Sequence, residues 1–196
     1  MHGHKMKPSI QRCSEGYSIL ELYTVIVIAL ILISFATPTF EQFLIREERE
    51  ATLERLKTAI EYAKQEAFIR QENITLCGSA DHHHCQAQQW TAGFIIFVNP
   101  TLSDQPHLQQ ILRVFPGIRH GQLIFKQFGQ HLNIQPNGMT FNTGTFFYCP
   151  ANKERLDIDG LVINKGCRTY KPTKHPILGI PLKNPETPMA TSFTCR

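Results

Sequence analysis

An apolar run over residues 17–36 constrains this chain more than any other feature, because it is long enough to cross a bilayer as one helix. In an α-helix a run of this length rises about 30 Å, which is the thickness of a hydrocarbon core. One acid, Glu21, lies inside the run, where an unpaired carboxylate costs about 1–3 kcal/mol. Basic residues precede the run and predict a cytoplasmic N-terminal end: Lys5, Lys7 and Arg12.

Three kinds of N-terminal segment compete to explain this run. A secretory signal peptide would be cut after Ala36, because Ser34 and Ala36 are small residues at suitable places, and the mature chain would then begin at Thr37. A signal anchor would keep the run as an uncleaved span. A prepilin-type segment would be cut before the run. Neither a secretory signal peptide nor a signal anchor explains why an acid, Glu21, lies inside the apolar run.

The residues around Glu21 carry a resemblance to a known family. GYSILE, at residues 16–21, resembles the type IV prepilin cleavage motif, with Tyr17 where that motif usually has Phe. The resemblance implies cleavage after Gly16 by a membrane-embedded prepilin peptidase and N-methylation of Tyr17. Pro38 lies where pilins commonly carry a helix-bending proline. Residues 1–16 are therefore expected to be a leader peptide.

This resemblance gives Glu21 a role in filament assembly. After cleavage, Tyr17 would carry a free amine, and the Glu21 carboxylate of one subunit would pair with the amine of a neighbour. A paired charge is tolerated in lipid where an unpaired one is not. We expect residues 17–37 to span the bacterial inner membrane before assembly and to form the filament core with other pilins or pseudopilins afterwards, with Pro38 next to that core. The partners implied are those subunits, the peptidase and the membrane.

The rest of the chain predicts an α+β fold. Residues 38–72 are rich in helix formers, and an apolar stripe recurs at steps of three and four residues: Leu53, Leu56, Ile60, Ala63 and Ala67. Residues 73–196 then show short β-branched and aromatic runs between turn signals, including ITLC, GFIIFVN, ILRVF, QLIFKQF, LNIQ, MTFN, TFFYC and GLVIN. They predict an antiparallel sheet or sandwich that covers the stripe, followed by an irregular tail.

The head resembles one branch of the pilins, which includes the H-type pseudopilin of type II secretion and the FimT and FimU minor pilins. The matching stretches are residues 63–67, 74–77, 90–99, 134–138, 144–149 and 160–164. The resemblance implies a structural subunit that initiates or caps a filament, in a type IV pilus or a secretion pseudopilus. We expect its head in the periplasm, within a periplasmic or surface filament.

The cysteines indicate an oxidising compartment. Cys13 precedes the apolar run and five cysteines follow it, so at least one downstream thiol is left over or pairs outside the chain. Cys77 is expected to pair with Cys85 across a short polar loop. Cys149 pairs with Cys167 or, as the alternative, with Cys195.

No catalytic motif is found, and no enzyme activity or cofactor is predicted. The acidic pairs Glu47-Glu48 and Asp157-x-Asp159 are interpreted as part of a solvated helix face and of a turn. His82, His83 and His84 are interpreted as an exposed loop tip and not as a metal site, because consecutive side chains point in different directions.

A cluster of basic residues supports an alternative function, capture of double-stranded DNA during natural transformation. In the FimT branch, DNA contact is associated with a Gly-Arg-x-Arg element, and Gly166-Cys167-Arg168 lies at the comparable place with an inserted cysteine. Basic side chains neutralise phosphates and an aromatic ring stacks on bases. The candidate residues are Lys165, Arg168, Tyr170, Lys171 and Lys174.

Overall fold

The computed structural model describes residues 18–127, 131–151, 158–173 and 195, with the side chains of residues 35–39, 108 and 127 excepted. The chain divides into two compact units, Met1–Glu41 and Gln42–Arg196. One long helix, α1 (Ile19–Arg70, 52 residues), contributes to both units, and Pro38 lies within it. The remaining elements belong to the second unit. The architecture is α+β, as predicted.

In the first unit, the described part of α1 carries large apolar side chains that are exposed. They include Leu20, Tyr23, Ile26 and Leu30, and the exposed fractions run from 37% at Val27 to 88% at Ile19. Within the part of the chain that the structure describes, no helix meets the length and apolarity that a membrane crossing requires.

In the second unit, α1 buries the predicted apolar stripe. Leu56, Ile60, Ala63 and Ala67 have no exposed surface, and Leu53 is 5% exposed. Leu, Ala and Ile at steps of three and four fall on one face of a helix with 3.6 residues per turn. The stripe prediction is therefore confirmed.

Two antiparallel four-stranded sheets cover this stripe. In the first, the order is β3 (Ile111–Pro116), β2 (Gly93–Val98), β1 (Ile74–Gly78), β5 (Leu132–Ile134). In the second, the order is β4 (Gly121–Gln127), β6 (Gly144–Pro150), β7 (Asp159–Ile163), β8 (Thr169–Tyr170). Single 3-10 turns lie at Gln89–Thr91 and Leu108–Gln110.

Alternation along the strands divides their side chains between two faces. Leu76 and Ile96 of the first sheet and Phe146 and Tyr148 of the second join the α1 stripe in the main core, which also contains Trp90. The intervening residues form two smaller apolar clusters on the outer faces: Cys77, Cys85, Ile95 and Phe97 on one sheet, and Phe147, Cys149 and Ile158 on the other. Because β1 and β2 are buried on both faces, their sequences are almost entirely apolar; the exception is Thr75 of β1, whose hydroxyl donates to Asn133 Oδ1.

Two features of the strand prediction are wrong. MTFN, residues 139–142, forms a single bridge between Thr140 and Ile134 and no strand. The Thr140 hydroxyl donates to the Asn133 carbonyl, which holds this segment in a loop, and the Asn142 side chain also donates to a backbone carbonyl. The two-residue strand β8 was not predicted, because two residues show no alternation.

Candidate assembly helix and head contacts

The first turn of α1 contains Glu21, the residue on which the assembly hypothesis depends. The Ser18 carbonyl accepts the Leu22 N–H at 3.1 Å, and the Ser18 hydroxyl oxygen lies 3.4 Å from the Leu20 nitrogen, which donates to it. A carboxylate in the first turn is favoured by the helix dipole. Gly16 and Tyr17 lie outside the described residues, so the cleavage site and the methylation site remain predictions.

Two hydroxyl groups in the apolar part of α1 donate hydrogen bonds within the helix itself. The Thr24 hydroxyl donates to the Glu21 carbonyl at 2.8 Å, and the Ser34 hydroxyl donates to the Ile31 carbonyl at 2.7 Å. The Thr24 and Ser34 hydroxyl groups therefore present no unpaired donor to an apolar environment. Because apolar residues occupy every side of this segment, it differs from a helix that buries only one stripe in a globular core.

Glu48 makes several polar contacts between α1 and the second sheet with the turn before it. Its Oε1 accepts the backbone N–H of Arg119 at 2.7 Å, and its Oε2 accepts the backbone N–H of His120 at 2.6 Å. The Tyr148 hydroxyl also donates to Oε2, at 3.1 Å. His120 Nδ1 is 3.6 Å from the same oxygen. The Glu48 clamp, as we call these contacts, holds the β3–β4 turn against α1.

The electrostatics of the clamp favour an ionised carboxylate. Burial raises the pKa of Glu48, but the N–H groups of Arg119 and His120, the Tyr148 hydroxyl and the nearby His120 ring together outweigh that effect, so the pKa is below its ordinary value. The sequence interpretation of Glu48 as a solvated residue was therefore wrong. No local signal distinguishes it from Glu47, because the partners of Glu48 lie about 70 or more residues away.

Residues predicted to bind DNA lie on and beside β8, and one of them has acidic neighbours. Lys171 Nζ is 3.5 Å from Glu50 Oε2 and 3.8 Å from Asp159 Oδ2. Asp159 is 2% exposed and begins β7, so its interpretation as a turn residue was wrong. These acids offset part of the positive charge that Lys171 would offer to a phosphate. Lys174 lies outside the described residues.

The structure separates the other basic candidates from Lys171. Lys165 and Arg168 are exposed in the β7–β8 turn, where Asn164 Oδ1 accepts the N–H groups of Gly166 and Arg168. Tyr170 and Lys171 instead line a groove of about 160 Å³ against α1, together with Glu50, Leu53, Glu54, Lys57, Gly160, Leu161 and Thr169. Among the described DNA-binding candidates, Lys165 and Arg168 therefore lie in the β7–β8 turn, and Tyr170 and Lys171 line the groove.

The disulfides agree with the sequence prediction at the first site and with its stated alternative at the second. Cys77 is bonded to Cys85, and Cys149 is bonded to Cys195. Cys167 does not pair with Cys149: it is the free cysteine among the described residues, and it is buried. Burial raises its pKa to about 11.

Strand register explains why Cys149 and Cys167 cannot meet. β7 pairs Ile163 with Gly144, at the start of β6, and Cys167 follows Ile163. Cys149 lies five residues further along β6, about 17 Å away at the rise of a strand. The two also lie on opposite faces, since Cys167 belongs to the main core and Cys149 to an outer cluster.

Asp81 organises the loop that the first disulfide closes. Its Oδ1 accepts the N–H groups of His83 and His84, and its Oδ2 is 2.7 Å from His84 Nδ1. These hydrogen bonds hold the pKa of Asp81 well below its usual range. In the described residues, no group of three or more His, Cys, Asp or Glu is arranged to hold a metal ion.

Comparison with known protein families assigns the second unit, with its helix stripe and two sheets, to a family. Residues 52–161 match the family model of the type II transport protein GspH, which covers more than half of the chain. The chain belongs to the GspH family. The match begins within α1 and ends in β7, so it contains the buried stripe and most of both sheets.

Solved structures similar to this GspH-family fold include two crystal forms of the type IV minor pilin FimU from Pseudomonas aeruginosa. One has a TM-score of 0.50 at 24% identity and covers 67% of this chain and 92% of the FimU chain. The other has a TM-score of 0.47 at 22% identity, with 63% and 92% covered. The first supports a pilin-like fold. No curated protein matches the chain.

Proposed function

We propose that this GspH-family protein is a minor pilin or pseudopilin, a structural subunit that enters a type IV pilus or a type II secretion pseudopilus through its N-terminal helix. The observation that carries the proposal is the helical segment with exposed apolar side chains on all sides and one carboxylate, Glu21, in its first turn. Such a surface requires an apolar environment, which packed helices of other subunits supply.

The proposal includes the processing steps that the GYSILE motif implies. A prepilin peptidase cuts after Gly16, Tyr17 is N-methylated, and the subunit waits in the inner membrane with its head in the periplasm. The bonds Cys77–Cys85 and Cys149–Cys195 support an oxidising compartment for the head. The new amine of one subunit then pairs with Glu21 of another, which fixes their axial offset.

Replacing Glu21 by Gln tests this assembly step. The variant keeps the size of the side chain and removes the charge that pairs with the neighbour's amine. Glu41→Gln is the matched control, because Glu41 is an exposed acid of the same helix outside the apolar run. We expect Glu21→Gln to abolish incorporation into sheared filaments or into cross-linked pseudopilus fractions, while Glu41→Gln is incorporated normally. Normal incorporation of both variants would contradict the proposal.

DNA capture on a competence pilus remains the alternative made from sequence. It needs a basic surface that reaches phosphates. The acids beside Lys171 weigh against it, and no described contact favours it over assembly.

A further inference from the structure

Large apolar side chains are exposed at the end of the second unit where α1 ends, among them Phe68, Met139 and Phe141. Phe68 is 68% exposed, Met139 is 46% exposed and Phe141 is 59% exposed. Phe68 is in the last turns of α1, and the other two flank the buried Thr140 in the β5–β6 loop. Exposed Phe and Met side chains that lie close together commonly mark an interaction surface.

Backbone proximity places these side chains on one surface. A Cβ at Gly138 would lie 3.1 Å from Cε of Lys64, so the β5–β6 loop contacts α1 there. Phe68 is four residues after Lys64 and therefore lies one turn along the same helix face. The Thr140 N–H donates to the Lys165 carbonyl at 2.8 Å, which brings the β7–β8 turn to the same place.

Cationic side chains outnumber acidic ones around these apolar side chains. Lys64 lies beside Gly138, and Lys165 and Arg168 are exposed in the adjoining turn. Lys64 and Glu61 both act electrostatically on Cys167, which lies beneath this turn. The distal surface, as we call it, therefore consists of Phe68, Met139, Phe141, Lys64, Lys165 and Arg168, with one acid, Glu61, near Lys64.

We propose that the distal surface binds a second protein through an acidic segment that carries apolar anchor residues. Carboxylates of that segment would pair with Lys64, Lys165 and Arg168, and its apolar side chains would cover Met139 and the two phenylalanines. Phe, Met and Arg are enriched at protein–protein interfaces, and Met adapts its shape to a partner. Charge complementarity selects an acidic occupant over a basic one.

The apolar content of the surface favours protein over nucleic acid. A duplex presents phosphates and sugars, which leave three large apolar side chains without apolar contacts. Strand register places the surface at the Gly144 end of β6, whereas the Glu48 clamp lies near its Pro150 end, where Gly121 pairs. The distal surface is thus separate from the Glu48 clamp.

The test uses the full chain in zwitterionic nanodiscs, with empty nanodiscs as the blank. The probes are three synthetic 12-residue peptides: one with Phe, Leu, Asp and Glu; one with the acids replaced by Lys; and one with the apolar residues replaced by Ser. Biolayer interferometry measures binding of each. We expect the acidic apolar peptide to bind at least roughly tenfold more tightly than either of the others.

Variants then locate the binding. The double variant Phe141→Ser/Lys165→Glu should weaken binding of the acidic apolar peptide roughly tenfold or more. The matched control Val114→Ser/Lys57→Glu should bind like the wild type, because Val114 is 45% exposed on β3 and Lys57 is an exposed helix residue away from the surface.

Four results would overturn the proposal: no binding of any peptide, equal binding of all three, an equal loss in the control variant, or displacement of the acidic apolar peptide by duplex DNA at lower concentration.

Discussion

Removing the charge of Glu48 should destabilise the second unit measurably. In Glu48→Gln the amide keeps one acceptor oxygen and replaces the other oxygen by an NH₂ group. If the amide oxygen takes the place of Oε2, it still accepts from His120 and Tyr148, and the NH₂ group then faces the N–H of Arg119. A hydrogen bond to a charged group contributes about 1.5–3 kcal/mol, and the substitution removes the charge and breaks the bond from Arg119. We expect a loss of about 2 kcal/mol, or about 4–8 °C in Tm.

Thermal and urea unfolding of the full chain in detergent, followed by circular dichroism, measures this loss. Glu47→Gln is the matched control, because Glu47 is the exposed neighbour in sequence and should change stability by less than about 0.5 kcal/mol. A Glu48→Gln variant as stable as Glu47→Gln would refute the clamp.

The pH dependence of the same pair adds a second check. Because the folded pKa of Glu48 is lowered, its stabilisation is complete above the unfolded pKa of about 4.3 and is lost as the pH falls through the folded value. The difference in stability between wild type and Glu48→Gln should therefore be constant from neutral pH down to about pH 5 and shrink in stronger acid. A difference that grows in acid would contradict this assignment.

Further predictions concern the disulfides, one glycine and the DNA hypothesis. By loop entropy, Cys149→Ser should cost about 4 kcal/mol and Cys77→Ser about 2.5 kcal/mol in urea unfolding, since the separations are 46 and 8 residues. Gly117→Ala should cost more than about 2 kcal/mol, because its Cβ would lie 2.5 Å from a backbone carbonyl oxygen. If duplex DNA binds, Arg168→Gln should weaken binding more than Lys171→Gln, whose ammonium already faces acids. An absence of binding in low salt would exclude DNA capture.

Local periodicity explains why much of the fold was predictable. The apolar residues from Leu53 to Ala67 repeat at helical spacing, which indicates a helix. Runs such as GFIIFV are short and apolar on both faces, which indicates a buried strand. In both cases a few neighbouring residues are enough for the prediction. MTFN shows the limit of this signal. Its apolar residues Met139 and Phe141 are exposed, and hydrogen bonds of Thr140 decide its loop conformation.

Contacts between distant segments were not predictable in the same way. The partner of Cys149 depends on strand register and on which sheet face a residue occupies, and neither is visible from cysteine spacing. In the sequence Glu48 cannot be distinguished from its neighbour Glu47, because only the folded chain brings the β3–β4 turn into contact with Glu48. The expected partner of Glu21 is on another subunit, so contacts within one chain cannot show it. The assembly hypothesis therefore rests on the resemblance of the N-terminal motif.

Mass spectrometry of the N-terminal peptide from protein isolated from its native membranes tests the central claim most directly. The account predicts a mature chain that begins with N-methylated Tyr17 and contains Glu21 within its first residues. A chain that begins at Met1, or at Thr37 after cleavage behind the apolar run, would contradict it.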